Sequence, residues 1–171
     1  MSLYRYFALA ALCFSGSSQT HAQVASIALR AILLPACEAG TVDSGGAIGF
    51  GILDFGQYAS LDNAITATSQ PGAGSIRVKC AAGQPYSIRL DGGLHGNVSS
   101  RRMANVSNAS STLTYNLYSD RPGGTVWDNV QGVRATGDGR DQWYPIHGLV
   151  PAQAPPAPGT YRDTVNVTIG W

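Results

Sequence analysis

A two-residue alternation closes the chain. Between Tyr161 and Trp171 the residues Val165, Val167, Ile169 and Trp171 are apolar, while Arg162, Thr164, Asn166 and Thr168 are polar. Successive side chains of a strand point to opposite sides, so this is the pattern of a strand with one buried face. The approach from Pro151 to Pro158, followed by Gly159, bars a helix from leading in. The strand must therefore pair with something earlier in the chain. The alternation runs to the last residue, and such a strand is expected either to enter the middle of a sheet or to leave a gap for a partner.

The opposite end reads as a targeting segment over residues 1–22. Arg5 supplies the positive start, Phe7 to Phe14 the apolar run, and Thr20-His21-Ala22 a small-residue cleavage site. The run is too short to span a bilayer. The mature chain is expected to begin near Gln23, to be exported, and to form about one domain. Of the three cysteines, Cys13 leaves with the signal. The remaining two, Cys37 and Cys80, most simply form one disulfide in an oxidising compartment rather than two buried thiols. Without Arg5, ten basic residues balance ten acidic ones. That balance argues against a nucleic-acid partner and against an anionic membrane. The local pair Arg101-Arg102 reads as a solvated turn.

The same alternation recurs along the chain. Gln23 to Leu34 carries apolar residues at Ala25, Ile27, Leu29, Ala31 and Leu33 and reads as a strand ended by Pro35 and Cys37. Ile52 to Tyr58 reads as a short strand running into a turn, and Ser60 to Gly74 as a polar connection. Ile76, Val78 and Cys80, then Tyr86, Ile88 and Leu90, then Leu113, Tyr115 and Leu117 alternate inward, with turns at Ala82-Gly83, Asp91-Gly92-Gly93 and Asp120 to Gly124. Asn97 to Ser111 reads as a loop. Val126-Trp127 and Trp143 to Val150 are weaker strand candidates. No window carries a helical stripe, so the expected class is all-β, an antiparallel β-sandwich.

Chemistry is sparse. His95 and His147 are far apart and lack a neighbouring carboxylate or cysteine. No metal-binding spacing includes them. No serine lies in a nucleophile elbow, Glu38 is the only glutamate, and the glycine clusters lack the spacing of a phosphate loop. Asp138 and Asp141 are few carboxylates for a calcium cage. Trp127, Trp143 and Tyr144 serve either as hairpin and core aromatics or as a platform for sugar. The reading is of a non-enzyme without cofactor.

Four blocks together resemble a known family. They are Leu53-Asp54-Phe55-Gly56, Val78-Lys79-Cys80 with Gly83 to Ile88, Leu113 to Tyr118, and Gly159 to Val165. In order, and over nearly all of the mature chain, they are similar to the spore coat protein U domain, a family that includes subunits of archaic chaperone-usher pili. The resemblance implies an incomplete immunoglobulin-like antiparallel β-sandwich, completed by a donor strand from a neighbouring subunit. On that expectation residues 23–36 are the donor segment, with Ile27, Leu29 and Ala31 facing inward, and residues 37–171 are the sandwich. Val165, Val167, Ile169 and Trp171 would line the acceptor region. The implied partners are neighbouring pilus subunits, a periplasmic chaperone and an outer-membrane usher, with no nucleic acid and no membrane insertion. The implied destination is the cell surface, where the fibre supports adhesion and biofilm formation.

The alternative from another class is a secreted carbohydrate-binding sandwich using Trp127, Trp143 and Tyr144. An exported hydrolase would need a nucleophile, base and orienting group, and no recognisable arrangement of them is present. Intact-mass analysis of the exported protein should find a chain beginning near Gln23 that takes up alkylating reagent only after reduction. Two thiols alkylated without reductant would remove the disulfide.

Overall fold

The computed structural model describes residues 28–32, 34, 36–42 and 48–171. The chain divides into two units, Met1–Leu33 and Leu34–Trp171. Within the first, residues 28–32 carry no strand and are exposed, with Leu29 at 93 %. The expected strand over 23–34 is thus not formed where it is described. Alternation supplies a face, but a strand also needs a ladder partner.

The described part of the second unit is all-β, with thirteen short strands and no helix. Four precede the core ladders: β1 (Cys37–Ala39), β2 (Thr41–Val42), β3 (Ile48–Gly49) and β4 (Ile65–Thr68). The next four are β5 (Ile76–Cys80), β6 (Pro85–Leu90), β7 (Arg101–Asn105) and β8 (Thr112–Tyr118). The last five are β9 (Val133–Thr136), β10 (Gln142–Tyr144), β11 (His147–Val150), β12 (Tyr161–Arg162) and β13 (Val167–Gly170). Besides the small β2-β3 pair they form three sheets, ordered β12-β7-β8-β11-β4, β1-β5-β10 and β13-β6-β9. Every strand pairing is antiparallel.

The three regular alternations read from sequence form the core. Ile76, Val78 and Cys80 of β5 and Tyr86, Ile88 and Leu90 of β6 are buried, and Tyr115 and Leu117 of β8 join them with Ile65, Ile146 and Val150. Fully burying an aliphatic side chain of this size contributes roughly 1.5–3 kcal/mol. Cys37 and Cys80 face each other across β1 and β5 and are disulfide-bonded, with a Cα separation of 4.1 Å. Closing a loop of 43 residues stabilises the fold by about 4 kcal/mol in the chain-entropy picture.

Several segments depart from the expectation. Ile52 to Tyr58 belongs to no strand, whereas the polar stretch after Ser60 contains β4. Trp143 to Val150 is cut at Pro145, which has no N–H to donate, and its halves β10 and β11 enter different sheets. The terminal alternation is also divided: β12 pairs with β7 and β13 with β6, so the chain crosses between sheets at residues 163–166. Trp127 is not in a strand. It is buried at 1 % exposure and donates its Nε1–H to Ile88 O at 2.9 Å.

The largest departure is Arg101. It is 0 % exposed in β7, inside the segment read as a loop, and is not part of a solvated turn. Its Nε donates to Asp91 O at 2.8 Å, Nη1 to Asn116 Oδ1 at 2.6 Å, and Nη2 to Trp127 O at 2.8 Å and Leu90 O at 3.3 Å. Burial pushes its pKa below the ordinary arginine value, while Tyr115, Asp91, Asp163 and Asp128 pull it back up. One planar fork thus joins β6, β8 and the Trp127 segment through acceptors that a lysine could not reach together. Arg101→Lys should destabilise the protein by about 2–3 kcal/mol, since the abandoned acceptors stay buried. Urea unfolding of both proteins measures this, and an unchanged midpoint would show that Arg101 carries no structural weight.

Candidate functional site

β1 pairs only with β5, and β13 only with β6. Each therefore presents one edge without a ladder partner among the described residues. A groove of about 770 Å³ runs along these edges, lined by Cys37 and Ala39 from β1 and by Val165, Val167, Ile169 and Trp171 from the terminal segment. Leu90, Tyr115, Leu117 and Ile146, all buried core residues, also line it. The groove is thus an opening into the core. A row of half-buried Val165, Val167 and Ile169 alternates with exposed Thr164, Asn166 and Thr168 along it. Trp171 leaves this row at 61 % exposure.

The unladdered stretch around Phe50 to Phe55 supplies another wall. Gly74 N donates to Phe50 O at 2.9 Å, and the Phe55 ring meets Tyr115 edge-on with centroids 6.1 Å apart. Gly148 makes room for that ring, because a Cβ there would collide with Phe55.

Polar groups pin the crossing at residues 163–166. Asp163 Oδ1 accepts from Leu94 N at 2.8 Å and Thr164 N at 2.9 Å, and Oδ2 accepts from the Tyr115 hydroxyl at 2.7 Å. Burial, then this bond to Asp163, pushes the Tyr115 pKa up, so the phenol stays a donor. Gly93, at φ 75°, lets the turn close over the carboxylate, where a Cβ would overlap Asp163. Asp91 Oδ2 accepts from Asn166 Nδ2 at 2.7 Å, and Oδ1 accepts from the N–H groups of Asn166 at 3.0 Å and Gly93 at 2.9 Å. Burial alone would raise the Asp91 pKa, but the bonds from Gly93 and Asn166 hold it below the usual carboxylate value.

The structure brings Val165, Val167, Ile169 and Trp171 into one groove with Cys37. Of the expected donor row, Ile27 lies outside the described residues, and Leu29 and Ala31 are exposed. The aromatic trio does not form a platform. Trp127 is buried, Trp143 is 39 % exposed, and the Tyr144 hydroxyl is tied to that of Tyr86 at 2.5 Å. Asp141 is held by Arg77 at 2.7 Å, which leaves it poorly suited to calcium, and Asp138 caps Arg140 N at 2.8 Å. Sequence reasoning read Asp91 and Arg101 only as turn residues and met Asn116 only inside a family block, because their roles depend on contacts distant in the chain. Asp163 was visible only as part of a motif.

The Spore Coat Protein U domain matches residues 23–168. A curated relative, Protein U of Myxococcus xanthus, is 32 % identical over 138 residues, covering 76 % of this chain and 77 % of its own. Among solved structures, one chain of the CsuC-CsuE chaperone-tip adhesion subunit pre-assembly complex, from the archaic chaperone-usher Csu pili of Acinetobacter baumannii, is 24 % identical. It covers 81 % of this chain at a TM-score of 0.47, and this chain spans 40 % of its length. A chaperone-tip adhesin complex of CFA/I fimbriae is 11 % identical, covers 78 % of this chain with 41 % of its own length matched, and superposes at a TM-score of 0.38.

Because the Asp91 pKa is depressed on folding, its contribution is fully present above the unfolded value near 3.9 and is lost as pH falls through the folded value. Asp91→Asn should be less stable at neutral pH and should lose less stability between about pH 5 and pH 3 than the parent. Chemical denaturation across that range checks it. Parallel acid profiles would show that the bonds to Gly93 and Asn166 are not linked to folding.

Proposed function

This chain belongs to the Spore Coat Protein U domain family, and on that premise we propose that it is a structural subunit of a surface pilus, assembled by a chaperone and an usher through donor-strand complementation. The observation that carries the proposal is the coincidence of two unpartnered strand edges with a groove that opens on core side chains. Unpaired backbone groups and apolar surface exposed together favour an added strand, whose ladder bonds supply affinity and whose alternate side chains supply register.

The donor is the segment 23–36 of a neighbouring copy or related subunit. Ile27, Leu29 and Ala31 enter the groove against Val165, Val167 and Ile169, while Ser26, Ala28 and Arg30 lie along its rim. Residues 37–171 form the receiving domain, and residues 1–22 direct export to the periplasm. There a chaperone covers the groove until an outer-membrane usher passes the subunit to the growing fibre. The work is polymerisation at the cell surface, without catalysis, and adhesion and biofilm formation follow from the fibre.

Leu29→Asp should abolish fibres while leaving the subunit's own fold intact, because an unpaired charge in an apolar groove costs several kcal/mol. Arg30→Ala, on the opposite face, should change fibre yield little. Fibre yield and folded subunit recovered with the chaperone are measured together. Normal assembly of Leu29→Asp, or loss of its own fold, would contradict donation by this segment.

A further inference from the structure

A second concavity lies on the sheet β13-β6-β9. It is a shallow cleft of about 560 Å³ lined by Ser87 and Arg89 of β6, Arg134 and Thr136 of β9, and Gly170 with Trp171. The neighbours of these β6 residues in sequence, Tyr86, Ile88 and Leu90, point into the core, so Ser87 and Arg89 belong to the outer face.

Its charge is one-sided. No aspartate or glutamate lines the cleft. Among the described residues the ion pairs are those of Arg77 with Glu38 and Asp141, so neither Arg89 nor Arg134 has a carboxylate partner. Among the described residues the Arg89 side chain makes a single hydrogen bond, from Nη2 to Ser87 Oγ at 3.3 Å. Gly170 keeps the floor flat beneath it: a Cβ there would stand 3.0 Å from Arg89 Nη2. Ser87 stands opposite Arg134 on one side and Gly170 on the other, so the two arginines converge on one stretch of sheet. At its border the Trp171 indole is 61 % exposed.

We propose that this cleft binds an acidic polysaccharide, with Arg89 and Arg134 pairing a uronate carboxylate and the sugar ring lying against Trp171. A guanidinium is a planar fork that matches a carboxylate, and an exposed indole offers an apolar face to the C–H side of a sugar. Inorganic phosphate chains would satisfy the arginines but have no use for the indole. Arg89 and Arg134, which hold the anion, face outward and do not line the assembly groove, and Trp171 borders both.

The exported protein is titrated with polygalacturonate, dextran and polyphosphate, and the dissociation constants are compared. Polygalacturonate should bind more tightly than polyphosphate, dextran should not bind, and added salt should weaken the interaction. Arg89→Gln and Arg134→Gln should each weaken polygalacturonate binding about tenfold or more. Trp171→Ala should weaken polygalacturonate binding and leave polyphosphate binding unchanged. Arg134 is exposed and Arg134→Gln keeps the fold, as circular dichroism will show, so this variant decides the matter even if Arg89→Gln unfolds. Absence of polygalacturonate binding, equal binding of polyphosphate, or parental affinity in Arg134→Gln would each overturn the proposal.

Discussion

A strand edge and an opening into the core, exposed at the same place, form a surface that offers an added strand both ladder bonds and apolar burial. Among the described residues the outward backbone groups of β1 and β13 have no ladder partner, and between them Leu90, Leu117 and Ile146 line a groove. Hydrophobic burial and hydrogen bonding therefore both favour an added strand. A loop could cover the apolar lining, but only an extended backbone meets both demands. The proposed polymerisation is the intermolecular solution to a constraint present in each subunit.

Such a groove is useful only if it resists collapse, and polar groups hold its frame. The disulfide fixes β1 to β5 on one wall. On the other, Asp163 and Asp91 secure the crossing that separates β12 from β13, so Val165 to Ile169 cannot relax inward freely. Arg101 binds carbonyls from β6 and the Trp127 segment beneath that crossing. Among the described residues no buried side-chain polar atom lacks a partner. A fully satisfied network of this kind favours one arrangement over the many looser ones open to an apolar core.

Where burial and apolarity coincide at period two, the sequence was readable. That condition holds for β5 and β6 and in part for β8, where Tyr115 and Leu117 are buried but so is the polar Asn116 between them, and it also exposed the terminal row of Val165, Val167 and Ile169. It fails in β7, whose first inward position is an arginine, so a core strand read as a loop. It fails in the opposite sense at Ile52 to Tyr58, where the pattern lacks a ladder. Strand pairing belongs to two segments, and local sequence describes only one. The terminal alternation left two outcomes open, a strand inside a sheet or a gap beside it, and the groove's other edge at β1 and its lining at Leu90 and Ile146 depend on contacts that no single window contains. The Asp91 and Asp163 pins were hidden because turn aspartates look alike whether they cap their own backbone or reach a distant strand.

Hydrogen exchange bears most directly on strand donation. The account predicts that alternate amides of Cys37–Ala39 and Val167–Gly170, those pointing away from β5 and β6, exchange rapidly in the isolated subunit. In assembled fibres they should become strongly protected, while Ile76–Cys80 is protected in both states. Equal protection of the two edge strands before and after assembly would mean that the groove is not where subunits join.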